Sequence, residues 1–276
     1  MASAFPYEFK NTILKVENVS LSMGGRQILK DVNVEIKDVV RPGKQQGQIV
    51  GFLGPSGIGK TKLFEVLSGL TKPDKGQVLI GDPLQPVEVG KVGVVQQSYP
   101  LFNHRTVRGN LEVAASKGDI PSADRKDRIQ KMLERFNLQD HGNKYPAELS
   151  GGQRQRIAIA QQLLCSEHFL LMDEPFSGLD VLMLDRVCEM LKEIATEHDH
   201  NTIIVISHDI HATASVADTL WVMGRDHDGN GKIIDGSHIK HTFNLIDRGV
   251  CWHEDVQSRK EFHDLVEEVR NLFPSL

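Results

Sequence analysis

Four short stretches of the chain concentrate residue types suited to handling phosphate. GPSGIGKT, running Gly54, Pro55, Ser56, Gly57, Ile58, Gly59, Lys60, Thr61, has the spacing G-x-x-x-x-G-K-[ST]. Its glycines let the backbone wrap around a β-phosphate, Lys60 supplies a point charge, and the Thr61 hydroxyl suits Mg²⁺. FLLMDEP ends four apolar residues in Asp173 and Glu174. Asp173 suits a divalent cation, directly or through water, and Glu174 suits polarising an attacking water. IVISHD places His208 at the tip of another apolar run, where a γ-phosphate contact is expected. LSGGQRQR sets Ser150, Gly151 and Gly152 directly ahead of a helical run, a second turn whose free N–H groups favour an anion. One chain with two anion-binding turns raises the question of what the second one serves.

The elements around these residues must hold them at one edge. The phosphate-loop pattern follows an apolar strand, Ile49 to Leu53, and opens a helix with Leu63, Phe64, Leu67 and Leu70 on one face. FLLMD and TIIVIS read as buried parallel strands whose polar tips emerge at the C-terminal edge of a sheet. Short β-type runs fill the N-terminal third, and Pro42-Gly43 within KDVVRPGKQQG reads as a hairpin turn. Helical periodicity clusters between about Thr106 and Leu164, in VRGNLEVAA and DRIQKMLERFNL. TLWVMGRD, DGNG and KIIDG read as strand, turn and strand. EFHDLVEEVRNLF is an amphipathic helix with Phe262, Leu265, Val266, Val269, Leu272 and Phe273 on one face.

Two metal-like patterns are decoys. DHDGNGKIIDGS has Asp226, Asp228, Asn230 and Gly231 at calcium-loop spacing, but its twelfth position is Ser237 rather than a glutamate, so a hairpin turn is expected. His198 to His200 sit in a polar connector and read as a solvated loop.

The bulk properties narrow the function classes. A chain of 276 residues can bury a full core, and a net charge of -5 disfavours nucleic acid as the main partner. Cys165, Cys188 and Cys251, odd in number and widely spaced, suit a reducing cytosol better than a disulfide framework or zinc site. No signal peptide is predicted at the N-terminus, and no stretch approaches the roughly 18 apolar residues needed to cross a bilayer.

Phosphate loop, VVQQSYPLF, LSGGQRQR, LLMDEP, SGLD and ISHD occur in that order, and the chain thereby resembles the nucleotide-binding subunits of ATP-binding-cassette (ABC) transporters over about Val16 to Gly236. The resemblance implies several roles. Gln97 aligns with the glutamine that reaches Mg²⁺ and attacking water, although the adjacent Gln96 stands where an aromatic is commoner. Glu174 matches the catalytic carboxylate, His208 the switch histidine, and Asp180 the residue that communicates across a dimer. Two such subunits pack head to tail, so that Ser150, Gly151, Gly152 and Gln153 of one meet the γ-phosphate held by the other's phosphate loop. Tyr99, Leu101 and Phe102 lie where family members receive the membrane subunit, and equally read as core. The chain departs from the family pattern at Lys62, where a second hydroxyl is usual near the α-phosphate, at Met23, where an aromatic usually stacks on adenine, and at Gln161, where arginine is common. Methionine can still cover a ring face, so weaker base recognition is expected.

These readings give an α/β fold: a phosphate-loop NTPase core with a mainly parallel sheet, an N-terminal antiparallel β subdomain and an inserted helical subdomain. The expected boundaries are 14–240 for the ATP-binding domain, about 98–165 for the helical insert, and 241–276 for a C-terminal extension whose helix docks on its own domain or meets a partner subunit. The implied function is MgATP hydrolysis driving solute transport, with import of a small solute of the nitrate/sulfonate type favoured. The implied cofactors are ATP and Mg²⁺. Expected partners are a second copy or a paired ABC subunit and transmembrane permease subunits, with a solute-binding protein as a further candidate and no nucleic acid. The expected location is cytoplasmic, on the inner face of the cell membrane. The alternative is a soluble ABC ATPase of the iron–sulfur assembly type.

Overall fold

The computed structural model describes residues 6–43, 47–118, 120–165, 169–196, 201–253 and 255–276. His198 to His200 lie outside the described residues. The strands are β1 (Glu8–Met23), β2 (Arg26–Val40), β3 (Gln48–Leu53), β4 (Lys75–Ile80), β5 (Gln85–Pro86), β6 (Gly93–Val95), β7 (Phe169–Asp173), β8 (Thr202–Ser207), β9 (Thr219–His227) and β10 (Ile233–Asn244). The helices are α1 (Lys60–Leu67), α2 (Val107–Lys117), α3 (Arg125–Arg135), α4 (Gly151–Cys165), α5 (Val181–Thr196), α6 (Ile210–Val216) and α7 (Lys260–Leu272).

The strands form one sheet in the order β5-β4-β1-β2-β10-β9-β3-β8-β7-β6. From β9 to β6 all pairings are parallel; β1, β2, β4 and β5 pair antiparallel, as do β9 and β10. The two regions join at a single parallel pair, Ser237 with Leu29.

Strand periodicity divides the core. Leu170 and Met172, Ile203 and Val205, and Leu220 and Val222 face one side with α2, α4, α5, α6 and α7. Phe169 and Leu171, Ile204 and Ile206, and Trp221 and Met223 face the other, with α1 and the antiparallel strands. Both faces are covered, which is why β8 is buried at every position and reads as a continuous apolar run.

The structure corrects two local expectations. Pro42 and Gly43 do form a turn, but β2 and β3 are not paired: β10 and β9 lie between them. α1 ends at Leu67, where the Ser68 hydroxyl donates to the Phe64 and Glu65 carbonyls and Gly69 takes φ 74°, leaving Leu70 outside the helix and exposed. The DGNG turn is a hairpin between β9 and β10, and the Asp228 carboxylate is engaged by the N–H groups of Asn230 and Lys232.

α7 docks on the chain's own core. Phe262, Leu265, Val266 and Val269 are buried, and the Phe262 ring stands edge-on to His211 of α6 at 4.9 Å. Ahead of it, Trp252 Nε1 donates to Asp218, whose other carboxylate oxygen accepts from the Ile49 N–H of β3. Burial pushes the Asp218 carboxyl up to about 6.

Candidate functional site

The parallel strands deliver the candidate residues to one edge. Leu53 and Ser207 are register partners, as are Asp173 and Ile206, and Val95 and Met172. The phosphate loop, Glu174, His208 and Gln97 therefore all leave the C-terminal ends of neighbouring strands, the edge where open α/β sheets bind ligands.

Gly57 and Gly59 of the loop have φ 75° and 106°, conformations that favour glycine. A Cβ at Gly59 would approach Ile28 Cγ2 to 3.2 Å, so β2 packs directly behind the loop. No side chain caps α1, whereas Thr106 caps α2 and Asp209 caps α6. The first N–H groups of α1 are thus left for a ligand. Lys60 is buried, and its ammonium donates to the carbonyls of Gly54 (2.7 Å) and Pro55 (3.1 Å). Burial lowers its pKa, opposed by the nearby Glu174 and Asp173 charges. The Asp173 carboxyl is raised, first by burial and then by Glu174, with Lys60 acting the other way. Two carboxylates and one ammonium therefore share a poorly solvated edge.

Glu174 has φ 50°, a left-handed backbone that costs such a side chain about 1–2 kcal/mol. Its N–H donates to the Ile206 carbonyl at 2.7 Å, which holds the turn. Ser207 Oγ (3.2 Å), the His208 N–H (3.4 Å) and His208 Nδ1 (2.8 Å) all converge on Glu174 Oε2. Gln97 Nε2 donates to Ser177 Oγ at 3.3 Å, three residues beyond Glu174.

Ser150, Gly151, Gly152 and Gln153 open α4, and among the described residues none of their side-chain hydrogen bonds reaches Lys60, Glu174 or His208. The Ser150 N–H donates to Gln153 Oε1 at 2.9 Å and the Gln153 N–H donates to Ser150 Oγ at 3.3 Å, a reciprocal cap on α4. Ser150 and Gly151 are exposed. Asp180 Oδ1 accepts from the Met183 N–H and so caps α5, beside exposed Val181 and Leu182. Met23 ends β1 with its side chain half exposed above the Gly24-Gly25 turn. Lys62 is turned onto Glu65, with Nζ 2.8 and 2.9 Å from the carboxylate oxygens. Gln161 is buried against Asn110. Tyr99 and Leu101 pack on the core, while Phe102 is exposed.

Two participants are not evident from the sequence. Buried Gln155 of α4 donates to the Pro175 carbonyl at 2.9 Å, tying the helix behind Ser150 to the Glu174 turn. Arg225 of β9 donates to the Gly57 carbonyl at 2.9 Å, and its Nε donates to the buried hydroxyl of Ser237 at 3.3 Å. The bond to Gly57 fixes that peptide and so restricts the loop before any ligand arrives. Arg225→Ala is expected to raise the KM for MgATP roughly fivefold, the loss of about 1 kcal/mol. Its kcat should stay near the parent value in steady-state assays, and Arg225→Lys should recover part of the KM.

This fold and edge define a phosphate-loop nucleotide-binding protein of the NTPase class. A family model described as "ABC transporter" matches residues 40–177. The chain is 38% identical over 221 residues to a sulfate/thiosulfate import ATP-binding protein CysA of Synechocystis sp., covering 79% of this chain and 58% of that protein. It is 37% identical over 222 residues to a probable sulfate/thiosulfate import ATP-binding protein CysA of Chlorella vulgaris, covering 79% and 88%. Among solved structures, cbiO1 from Clostridium perfringens, part of the ABC transporter complex cbiONQ, superposes with TM-score 0.70 at 26% identity, covering 96% of this chain and 97% of that one. A dimeric ATP-binding cassette in a post-hydrolysis state with ADP and phosphate gives TM-score 0.67 at 27% identity, covering 84% and 99%. The chain belongs to the ABC transporter family. It spans 58%, 59% and 61% of the length of three of the CysA relatives it matches.

Proposed function

We propose that this chain is the ATP-hydrolysing subunit of an ABC importer, acting as a head-to-tail dimer. One observation carries the reading: Lys60, Asp173, Glu174 and His208 converge on one sheet edge, while Ser150 and Gly151 present a capped, exposed helix start that makes no hydrogen bond to that set. A phosphate meets both sets when a second copy brings its own edge to Ser150. Residues 14–240 then form the ATP-binding domain, with the helical insert at about 98–165, and 241–276 form a short extension.

In this reading the phosphate-loop N–H groups and Lys60 hold the β- and γ-phosphates, and Met23 covers the adenine. The exposed Thr61 hydroxyl and the half-buried Asp173 carboxylate suit Mg²⁺, with Gln97 beside them, because a cation would offset the charge that burial and Glu174 make costly at Asp173. When bound, Mg²⁺ would supply positive charge to the phosphate oxygens. Glu174 orients water for in-line attack and takes its proton, using Oε1 while Ser207 and His208 fix Oε2. His208 is more than half exposed and braces the γ-phosphate from the open side of its ring.

Gln97 and exposed Phe102 are the surface we assign to the permease subunits, with Gln97 linked to the Glu174 turn through Ser177. No helix among the described residues is long and apolar enough to cross a membrane, so the solute path would belong to those partners. A solute-binding protein and a site on the inner membrane face complete the proposal. The names of the relatives support a small inorganic oxyanion such as sulfate or thiosulfate as the solute. In cells lacking the gene, uptake of labelled sulfate or thiosulfate should be lost, returned by the parent gene and not returned by Glu174→Gln. Unchanged uptake with purified ATPase activity intact would favour the soluble, permease-free reading.

A further inference from the structure

A second cationic centre lies against α4, the helix that Ser150 caps. A cavity of about 450 Å³ opens between α4, α5 and the end of α3, with Arg135, Gly152, Arg156, Arg186, Glu189 and Glu193 in its wall. Arginine keeps its charge in proteins and presents a fork of donors matched to oxyanions. Arg156 is half-buried; its Nε is shut off from solvent and has no hydrogen-bond partner. The guanidinium pKa is held below its usual range, first by burial and then by the like charge of Arg186.

Two neighbouring guanidiniums with a stranded buried donor are costly unless something negative stands between them. Glu189 and Glu193 follow Arg186 at helical spacing, yet neither makes an ion pair with Arg156 or Arg186 among the described residues. Arg135 lies over the Phe136 ring at 5.5 Å and adds a third positive group to the wall.

We propose that this cavity is an oxyanion-binding site, for sulfate, phosphate or the phosphate end of a larger metabolite, held between Arg156 of α4 and Arg186 of α5. Its volume is within the range of small-ligand pockets and exceeds what one free oxyanion fills. The occupant would bridge the helix that begins at Gly151 to the helix that begins at Val181. Ligand there would therefore fix how the Ser150 turn sits against the segment carrying Asp180. The binding itself does not depend on the ATPase reading.

The test uses the full chain carrying Lys60→Ala, which weakens anion binding at the phosphate loop. Titration calorimetry with sulfate, phosphate and pyrophosphate, at ionic strength balanced with chloride, should give saturable binding. Arg186 is exposed, so Arg186→Gln should fold normally and weaken that binding at least tenfold. Glu189→Gln should tighten it by removing a like charge from the wall. Tighter binding of pyrophosphate than of phosphate or sulfate assigns the site to a larger phosphorylated ligand, and the reverse order to a free oxyanion. Non-saturating heats, or equal binding in Arg186→Gln and its parent, would overturn the proposal. So would binding abolished by Ser150→Arg and untouched by Arg186→Gln, since that places the anion at the Ser150 turn.

Discussion

Glu174→Gln is expected to bind MgATP with near-parent affinity and to lose at least about a hundredfold in turnover, the size of a general-base contribution. That loss corresponds to about 3 kcal/mol or more in the barrier. Glutamine keeps the size and still accepts hydrogen bonds, so Ser207 and His208 retain a partner at the position they now share on Oε2. It cannot take a proton from water. The backbone keeps its left-handed turn, because the N–H to Ile206 carbonyl bond is unaffected. Phosphate affinity stays because Lys60 and the loop are untouched, and in the dimer reading the trapped ATP should hold two copies together. Size-exclusion chromatography with MgATP should then show a dimer in Glu174→Gln and monomer after mock treatment without nucleotide. Turnover within a few-fold of the parent would remove Glu174 as the base and return the role to a group such as His208.

The parts of this site legible in the sequence are those written in short contiguous runs. GPSGIGKT, FLLMDE and IVIS end apolar strands in polar tips, and alternation of faces places those tips at one edge. What was not legible depends on contacts between distant segments. Arg225 meets Gly57 only because β9 pairs beside β3, and a lone arginine after an apolar run carries no signal of that. Gln155 is one polar residue within QRQR until α4 is laid against the Glu174 turn. Pro42-Gly43 misled as a hairpin because turn chemistry is local, whereas which strands pair is decided by β9 and β10 inserting between β2 and β3. Leu70 fitted a helical stripe by spacing, but the Ser68 cap and the backbone of Gly69 end the helix first.

The second large effect is one of complementation. Lys60→Ala removes the buried cation of the phosphate loop, and Ser150→Arg puts a long charged side chain where a small hydroxyl caps α4. Each homogeneous variant should be nearly inactive, since every composite site then carries a fault. Mixed in equal amounts, half of the dimers pair one copy of each kind. In such a dimer one site combines both faults, and the other joins an intact phosphate loop to an intact Ser150 turn. If sites fire independently and exchange is complete, activity should recover to about a quarter of the parent value from this dimer arithmetic. The recovery should grow along a mixing series as the product of the two fractions, a shape that contamination or residual single-chain turnover does not give. A site completed within one chain predicts no recovery at any ratio, because every chain in the mixture is faulty. In the dimer reading the capped, exposed Ser150 turn, which makes no hydrogen bond to Lys60 or Glu174 of its own chain among the described residues, offers its hydroxyl and the first N–H groups of α4 to a phosphate held by the other copy.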